Sequence, residues 1–327
     1  METLVLHNDA DLLALAPEWD ALWHRAPGAA PFASPRWLLP WWRQWGADRG
    51  PGRPRVATLR RDDGCLAAVL PLYVLDEPEG AKLLPMGAGT GDYLDALAEP
   101  GVDLAPLLAA ALAASPDVAA CDLIEIPANG RLLGVTAPPG WQAEWRTDSA
   151  CPVLAPGDDL ANVPANTRRK LRMARHRAER AGGYSVETAT AETLPTLFAE
   201  LARLHGARWE AAGEAGVLAD RRVLAFHAEA QPGLLDAGLL RLLALRLGGR
   251  VAAAFLQLVQ PGRVLFYLAG FDASLAYHSP GTLLLGWALE QAAAEGREAH
   301  FLRGAESYKF AWGAEDQPNR ACRLVRA

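Results

Sequence analysis

Glu306, Tyr308 and Lys309 fall within four positions of one another, directly after Arg303 and Gly304 at the end of a short apolar segment. A carboxylate, a phenol and an ammonium placed so closely beside a strand point to proton chemistry. The alternative is that Glu306 opens a short helix and the other two side chains are solvated. The chain holds 29 Arg but only three Lys, at positions 82, 170 and 309, which favours a chemical requirement at Lys309. Upstream, His278, Ser279, Pro280, Gly281 and Thr282 form an elbow in front of an apolar run. Free N–H groups and the positive end of the helix dipole meet at such a start, so it suits an anion. Pro280 fits the first helical turn, and Gly281 lets a ligand approach the backbone. An ordinary Ser279 cap is the competing reading.

His205, Arg208 and Trp209 stand at i, i+3 and i+4, on one helical face. His205 is a candidate proton acceptor near neutral pH, or else a packed or capping residue. Arg208 and Trp209 are read as shaping an acceptor pocket. The segment Asn166 to Arg180 carries seven Lys and Arg against one acid and reads as a helix, either a solvated face or a contact for phosphates. The glycines of Met86 to Asp95 look like a phosphate loop, but no helix opens behind them, which makes the signal weak. The tryptophans at 37, 41, 42 and 45 have helical spacing and read as core.

These groups need a frame, and periodicity supplies one. The first half reads as strand (Thr3 to Leu6), helix (Asp9 to His24), Trp-rich helix (Ser34 to Trp45), strands at Val56 to Leu59, Leu66 to Val74 and Lys82 to Met86, helix (Leu104 to Ala114) and strand (Asp122 to Ile126). The second half repeats the order: strand (Tyr184 to Thr188), helices (Ala191 to Ala212, Arg221 to Leu235), strands (Leu239 to Leu247, Val251 to Val259, Val264 to Phe271), helix (Gly281 to Gly296) and strand (His300 to Leu302). Gly248–Gly249 and Pro261–Gly262 are hairpin-length turns, so the last three long strands form an antiparallel meander rather than a dinucleotide-binding sheet. The expectation is a duplicated α/β (α+β) unit, residues 1–155 and 156–327, divided within Cys151 to Thr167 where Pro and Gly break the pattern.

Composition bounds the function. The chain has 327 residues, 51% of them hydrophobic and 21% charged, which suits two packed domains. A net charge of -6 disfavours non-specific nucleic-acid binding. Scattered Cys65, Cys121, Cys151 and Cys322 fit neither a zinc site nor a disulfide frame, so no metal is expected. No export signal or membrane-length apolar stretch is visible, and the expected location is cytoplasmic.

An antiparallel meander, a turn, a helix whose start can hold an anion and one further strand form the core order of GNAT acyltransferases. In detail the chain resembles the CelD-type (cellulose-biosynthesis-associated) acetyltransferases, related to the tandem-domain Fem aminoacyl transferases, through "FASPRWLLPWWRQWG", "GDYLDALAEP", "NTRRKLRMARHRAERAG", "LHGARWEAAGEAGVL", "GFDASLAYHSPGTLLL" and "FLRGAESYKFAWG". The resemblance implies tandem GNAT-like domains, each a mixed, largely antiparallel sheet flanked by helices. The first is degenerate, and the second binds acetyl-CoA or another acyl-CoA through His278, Ser279, Gly281, Thr282 and Arg303. The acyl group passes by direct attack to an amine or hydroxyl on a small molecule or a cell-envelope or polysaccharide precursor. Glu306 is the expected base, with His205 behind it; Tyr308 is the acid for the leaving thiolate, and Lys309 holds the acceptor or a phosphate. Asp92, Tyr93, Arg208, Trp209 and Asp272 would meet the acceptor, the first two in a cleft between the domains. The alternatives are a Fem-like transferase drawing on aminoacyl-tRNA, with the basic helix as docking face, and an inactive scaffold.

Overall fold

The computed structural model describes residues 1–46, 53–157, 160–211 and 213–327. Two compact units emerge, one of residues 1–150 with 317–327 and one of residues 151–316. The division falls a few residues before the expected 155, and the last eleven residues return to the first unit. The cause is a C-terminal strand that the periodicity reading missed. Asp158 and Asp159 of the expected linker and Ala212 of the expected helix end lie outside the described residues.

The first unit runs β1 (Glu2–Leu6), α1 (Asp9–Arg25), α2 (Pro35–Trp45), β2 (Pro54–Arg60), β3 (Leu66–Leu75), β4 (Lys82–Pro85), β5 (Leu97–Ala98), α3 (Ala105–Ala113), β6 (Ala120–Ile126) and β7 (Trp141–Thr147). The second runs β8 (Pro152–Leu154), α4 (Ala165–Arg180), β9 (Tyr184–Thr188), α5 (Leu194–Ala211), α6 (Arg221–Asp236), β10 (Leu240–Leu247), β11 (Arg250–Gln260), β12 (Arg263–Phe271), α7 (Pro280–Ala294), β13 (Glu298–His300), α8 (Ser307–Ala311) and β14 (Glu315–Asp316), before β15 (Arg320–Arg326) completes the first sheet. The expected repeat of strand, two helices, meander, helix and strand is therefore present in both units. The first sheet has the order β1-β2-β3-β4-β6-β15-β7, with β5 on β3; the second has β14-β8-β13-β12-β11-β10-β9. Pairing is antiparallel except at β4–β6 and β12–β13, each joined across a helix, as parallel neighbours require.

Each sheet buries an aliphatic face under its crossover helix. Leu107, Leu108, Ala111 and Leu112 of α3 cover β2, β3 and β6, and Leu283, Leu284, Ala288 and Leu289 of α7 cover β10 to β13 together with α4. In α4, Thr167, Leu171, Ala174 and Ala178 form the buried stripe, leaving Arg169, Lys170, Arg172 and Arg180 exposed. Trp37, Trp41 and Trp42 are buried in α2, the core reading of that cluster. Among the described residues the four cysteines form no disulfide. No helix among the described residues is long and apolar enough to cross a membrane.

Candidate active site

The second unit's sheet opens beyond the end of β13. β12 and β13 pair over Arg263–Glu298, Val264–Ala299 and Leu265–His300 only, while β12 runs on to Phe271. Beyond His300 the chain crosses towards β8, where the Phe301 amide donates to Pro152, and then turns at Leu302 (φ 59°) and Gly304 (φ 112°). A left-handed leucine costs about 1–2 kcal/mol, so its surroundings must hold it. The register of β12 on β11 shifts between Leu256 and Gln257, opposite Leu268 and Phe266, which leaves Tyr267 as an extra residue. Such a bulge bends a strand and re-aims its edge. From Phe266 to Phe271, β12 has no strand partner on the β13 side among the described residues.

Three elements converge on that open edge. From α5, His205 is 5% exposed, and its Nδ1 lies 3.1 Å from the carbonyl of Ala269, which fixes Nδ1 as the N–H donor. Nε2 then carries the lone pair, and it is buried without a hydrogen-bond partner. Burial holds the imidazole pKa below the usual histidine value; the Ala269 bond opposes this and the Arg208 charge adds to it. Gly270 permits the approach: a Cβ there would stand 2.6 Å from the His205 amide nitrogen and 2.8 Å from Cβ of Leu204. Arg208 lies over the rings of Trp209 (5.8 Å) and Phe271 (5.6 Å), and the His205 and Trp209 rings are 6.0 Å apart.

From the other side comes the start of α7. Ser279 adopts a left-handed conformation (φ 52°, ψ 56°), and its hydroxyl turns back to the Ala276 carbonyl at 3.3 Å. It makes no side-chain cap, so the ordinary N-cap reading fails and the amides of the first turn have no capping side chain. Gly281 lies against Phe271, where a Cβ would be 3.2 Å from the ring. His278 is half-buried, edge-on to Tyr277, with Nδ1 unpartnered; Thr282 is half-buried. Arg177 of α4 anchors this segment by donating to the Tyr277 carbonyl at 3.0 Å and lying 5.0 Å above its ring.

The third element is the loop into α8, and here the structure departs from expectation. Lys309 is 2% exposed, and its Nζ donates to the carbonyls of Leu302 (3.3 Å), Arg303 (2.6 Å) and Gly304 (3.1 Å) and pairs with Glu306 at 2.9 Å. An ammonium with three protons and four oxygens around it is saturated. It holds the loop together rather than reaching for an acceptor or a phosphate. Glu306, the expected base, has a side chain 53% exposed, occupies the N-cap position of α8 and is engaged by that lysine. Tyr308 is 44% exposed and edge-on to Phe301 at 6.3 Å; partial burial of the phenol, then the Glu306 charge, push its pKa up to about 12, with Arg208 opposing.

The remaining expected residues are otherwise placed. Asp272 caps the turn after β12, accepting from the Ser274 amide (2.9 Å) and hydroxyl (2.6 Å), which lowers its pKa, so its carboxylate is occupied. Asp92 and Tyr93 are buried in the first unit. The Asp92 carbonyl accepts from Asn319, and Tyr93 packs edge-on to Phe32. The glycine loop around them is a tight turn in which Thr90 and Gly91 both donate to the Gly87 carbonyl. Ala269, Gly270 and the Tyr267 bulge went unnoticed in the sequence. Gly270 inside a strand pattern was the available signal, since such a glycine marks a close backbone approach.

The antiparallel meander β10–β11–β12, the uncapped start of α7 and the following parallel strand β13 keep the expected order, and the fold of the chain is GNAT-like. Residues 165–310, which hold every element of this site, match the sequence profile of the acetyltransferase (GNAT) domain family. Solved structures resemble nearly the whole chain. A conserved protein of unknown function from Bacteroides thetaiotaomicron VPI-5482 is 12% identical, with TM-score 0.66 over 99% of this chain and all of that one. FemX is 14% identical, with TM-score 0.65 over 98% and 97%. L-PGS from Bacillus licheniformis is 14% identical, with TM-score 0.58 over 98% and 93%. A comparison with curated proteins finds no match.

Proposed function

We propose that the protein is an acyl-CoA-dependent N-acyltransferase of the CelD type whose second unit carries the chemistry. The observation that carries this reading is the meeting of an uncapped α7 start, an open β12 edge and the unpartnered Nε2 of buried His205 within one sheet opening. The helix start suits the pyrophosphate of the donor, through the amides of Gly281 and Thr282. A backbone amide of β12 beyond Leu265, where the pairing with β13 ends, suits the thioester carbonyl, stabilising the oxyanion that forms there.

His205 replaces Glu306 as the base. A neutral amine adds to the thioester carbon, forming the C–N bond, and the nitrogen then gives a proton to Nε2 of His205. The C–S bond breaks, the electron pair leaves with sulfur, and the thiolate takes a proton from the Tyr308 hydroxyl, which the imidazolium restores through water. A neutral histidine suits the first step and a protonated phenol the last. Glu306 and Lys309 position the loop on which Tyr308 sits.

Calorimetry with acetyl-CoA, together with thiol release in the presence of amines, tests the reading. Micromolar acetyl-CoA binding that weakens in Gly281→Glu is the expected result. Binding of aminoacyl-tRNA with none of acetyl-CoA would transfer the assignment to the tRNA-dependent class; binding of neither would leave a scaffold.

A further inference from the structure

Arg208 has no role yet in this chemistry, although it stands at the mouth of the opening. It is exposed, and its guanidinium is held over two aromatic faces, Trp209 and Phe271. Among the described residues it pairs with no carboxylate. Glu306, the acid on the facing loop, is engaged by Lys309, while Glu187, Glu200, Glu290 and Glu295 are each taken up by another arginine. Stacking on rings leaves the edge of the guanidinium, with its fork of N–H donors, free to meet an oxyanion. Arg208 also shares a helix face with His205, one turn away, which lets one bound molecule reach both groups. Trp209 adds a buried indole N–H without a partner on the same turn. The proton acceptor is thus accompanied by two donors suited to negative charge, and an ordinary ammonium-bearing acceptor would be repelled by Arg208 unless it brought an anion of its own.

We infer that Arg208 recognises a negative group on the acceptor, so that the acceptor class is an amine carrying a carboxylate or a phosphate within the same small molecule or headgroup. The inference rests on the acyltransferase reading and narrows its substrate. The guanidinium fixes the anion, and the amine then lies towards Nε2 of His205. Arg208 is a binding group, so its loss shows in KM more than in the pH profile.

The test is acetyl-CoA-dependent thiol release with matched amines: β-alanine, γ-aminobutyrate and phosphoethanolamine against β-alaninamide, γ-aminobutyramide and ethanolamine. The wild type should prefer at least one anionic member over its neutral partner by about 30- to 100-fold in kcat/KM, the size of a charge-assisted hydrogen-bond pair. The carboxylate and phosphate arms identify which anion fits. Arg208→Gln should erase the preference by raising KM for the anionic amine, with acetyl-CoA affinity unchanged, and Arg208→Lys should keep part of it. No preference in the wild type, or a preference that survives Arg208→Gln, overturns the inference. Calorimetry separates the two failures: acetyl-CoA binding without anion preference sinks only the acceptor assignment, whereas no acetyl-CoA binding sinks the acyltransferase reading beneath it.

Discussion

Replacing Lys309 by Met removes the ammonium and keeps an unbranched stem of similar length. The ammonium's worth follows from what it touches. The Leu302 carbonyl bond is buried, and those to Arg303 and Gly304 are partly buried. A hydrogen bond from a charged donor contributes about 1.5–3 kcal/mol, while the exposed Glu306 pair adds about 1 kcal/mol or less. Water can reach the two partly buried carbonyls, so the full sum overcounts, and a net loss of about 3–5 kcal/mol is expected. In a unit of this size that lowers Tm by about 6–20 °C. The left-handed Leu302 would relax at the same time, and the loop carrying Tyr308 would move off β12. Turnover should then fall at temperatures where the protein is still folded. Lys309→Arg should not rescue, because a planar fork cannot direct its donors at three carbonyls that converge on one point. Differential scanning calorimetry with thiol-release kinetics decides the matter. A Met variant melting within about 2 °C of the wild type at normal turnover would refute the positioning role, since three lost bonds cannot cost so little.

Three further outcomes are expected. His205→Gln should cost roughly 10²-fold or more in kcat and abolish the acid limb of the pH profile, which in the wild type should lie below pH 6.5 because the folded-state pKa is lowered; a limb that persists in the variant would exclude His205 as base. Burial pushes His227 down to about 3 and His300 down to about 4, so the unfolded chain binds more protons; stability is fully present above the unfolded value of 6.5 and is lost as pH falls towards the folded values. Each should remove about 2 kcal/mol between roughly pH 7.5 and pH 5, and urea titrations of His227→Gln should show about half the wild-type loss from this pair. Gly270→Ala should cost about 1–3 kcal/mol and at least 10-fold in turnover, because its Cβ would drive α5 and His205 off β12; a fully active, equally stable variant would contradict that packing.

The fold was legible because its main elements satisfy their own periodicity. β9 to β12, α5 to α7 and their counterparts in the first unit appear within a few residues of the expected bounds. The elements that escaped lack a local signal. In β7, Trp141 to Thr147, no residue is fully buried, and β15 is set by pairing with β6 some two hundred positions away, as with Val325 opposite Ala120. A strand built from distant partners leaves little trace in its own residues. The domain boundary suffered for the same reason, since nothing in Arg320 to Arg326 announces that it returns to the first sheet.

The site was legible in part, and the division is chemical. Residue type and spacing marked His205, Arg208, Gly281 and Tyr308 as candidates, because helical phase and glycine punctuation are sequence properties. Which of two candidate bases is free is a property of neighbours that sequence does not list. Glu306 looked poised beside a strand, but Lys309 three positions later folds back to engage it and the strand-end carbonyls together. The scarcity of lysine was a sound signal of a special role at position 309, and the role it signalled was structural: a compact ammonium gathers several oxygens at one point, which the abundant arginines of this chain cannot do. His205 stood behind Glu306 among the expected bases, because a lone helical histidine is more commonly a satisfied one. What separates it from that case is the assignment of its two nitrogens, with Nδ1 spent on the Ala269 carbonyl and Nε2 left over in a buried position. A buried acceptor without a partner costs about 1–3 kcal/mol, a cost that a substrate proton at that position would offset.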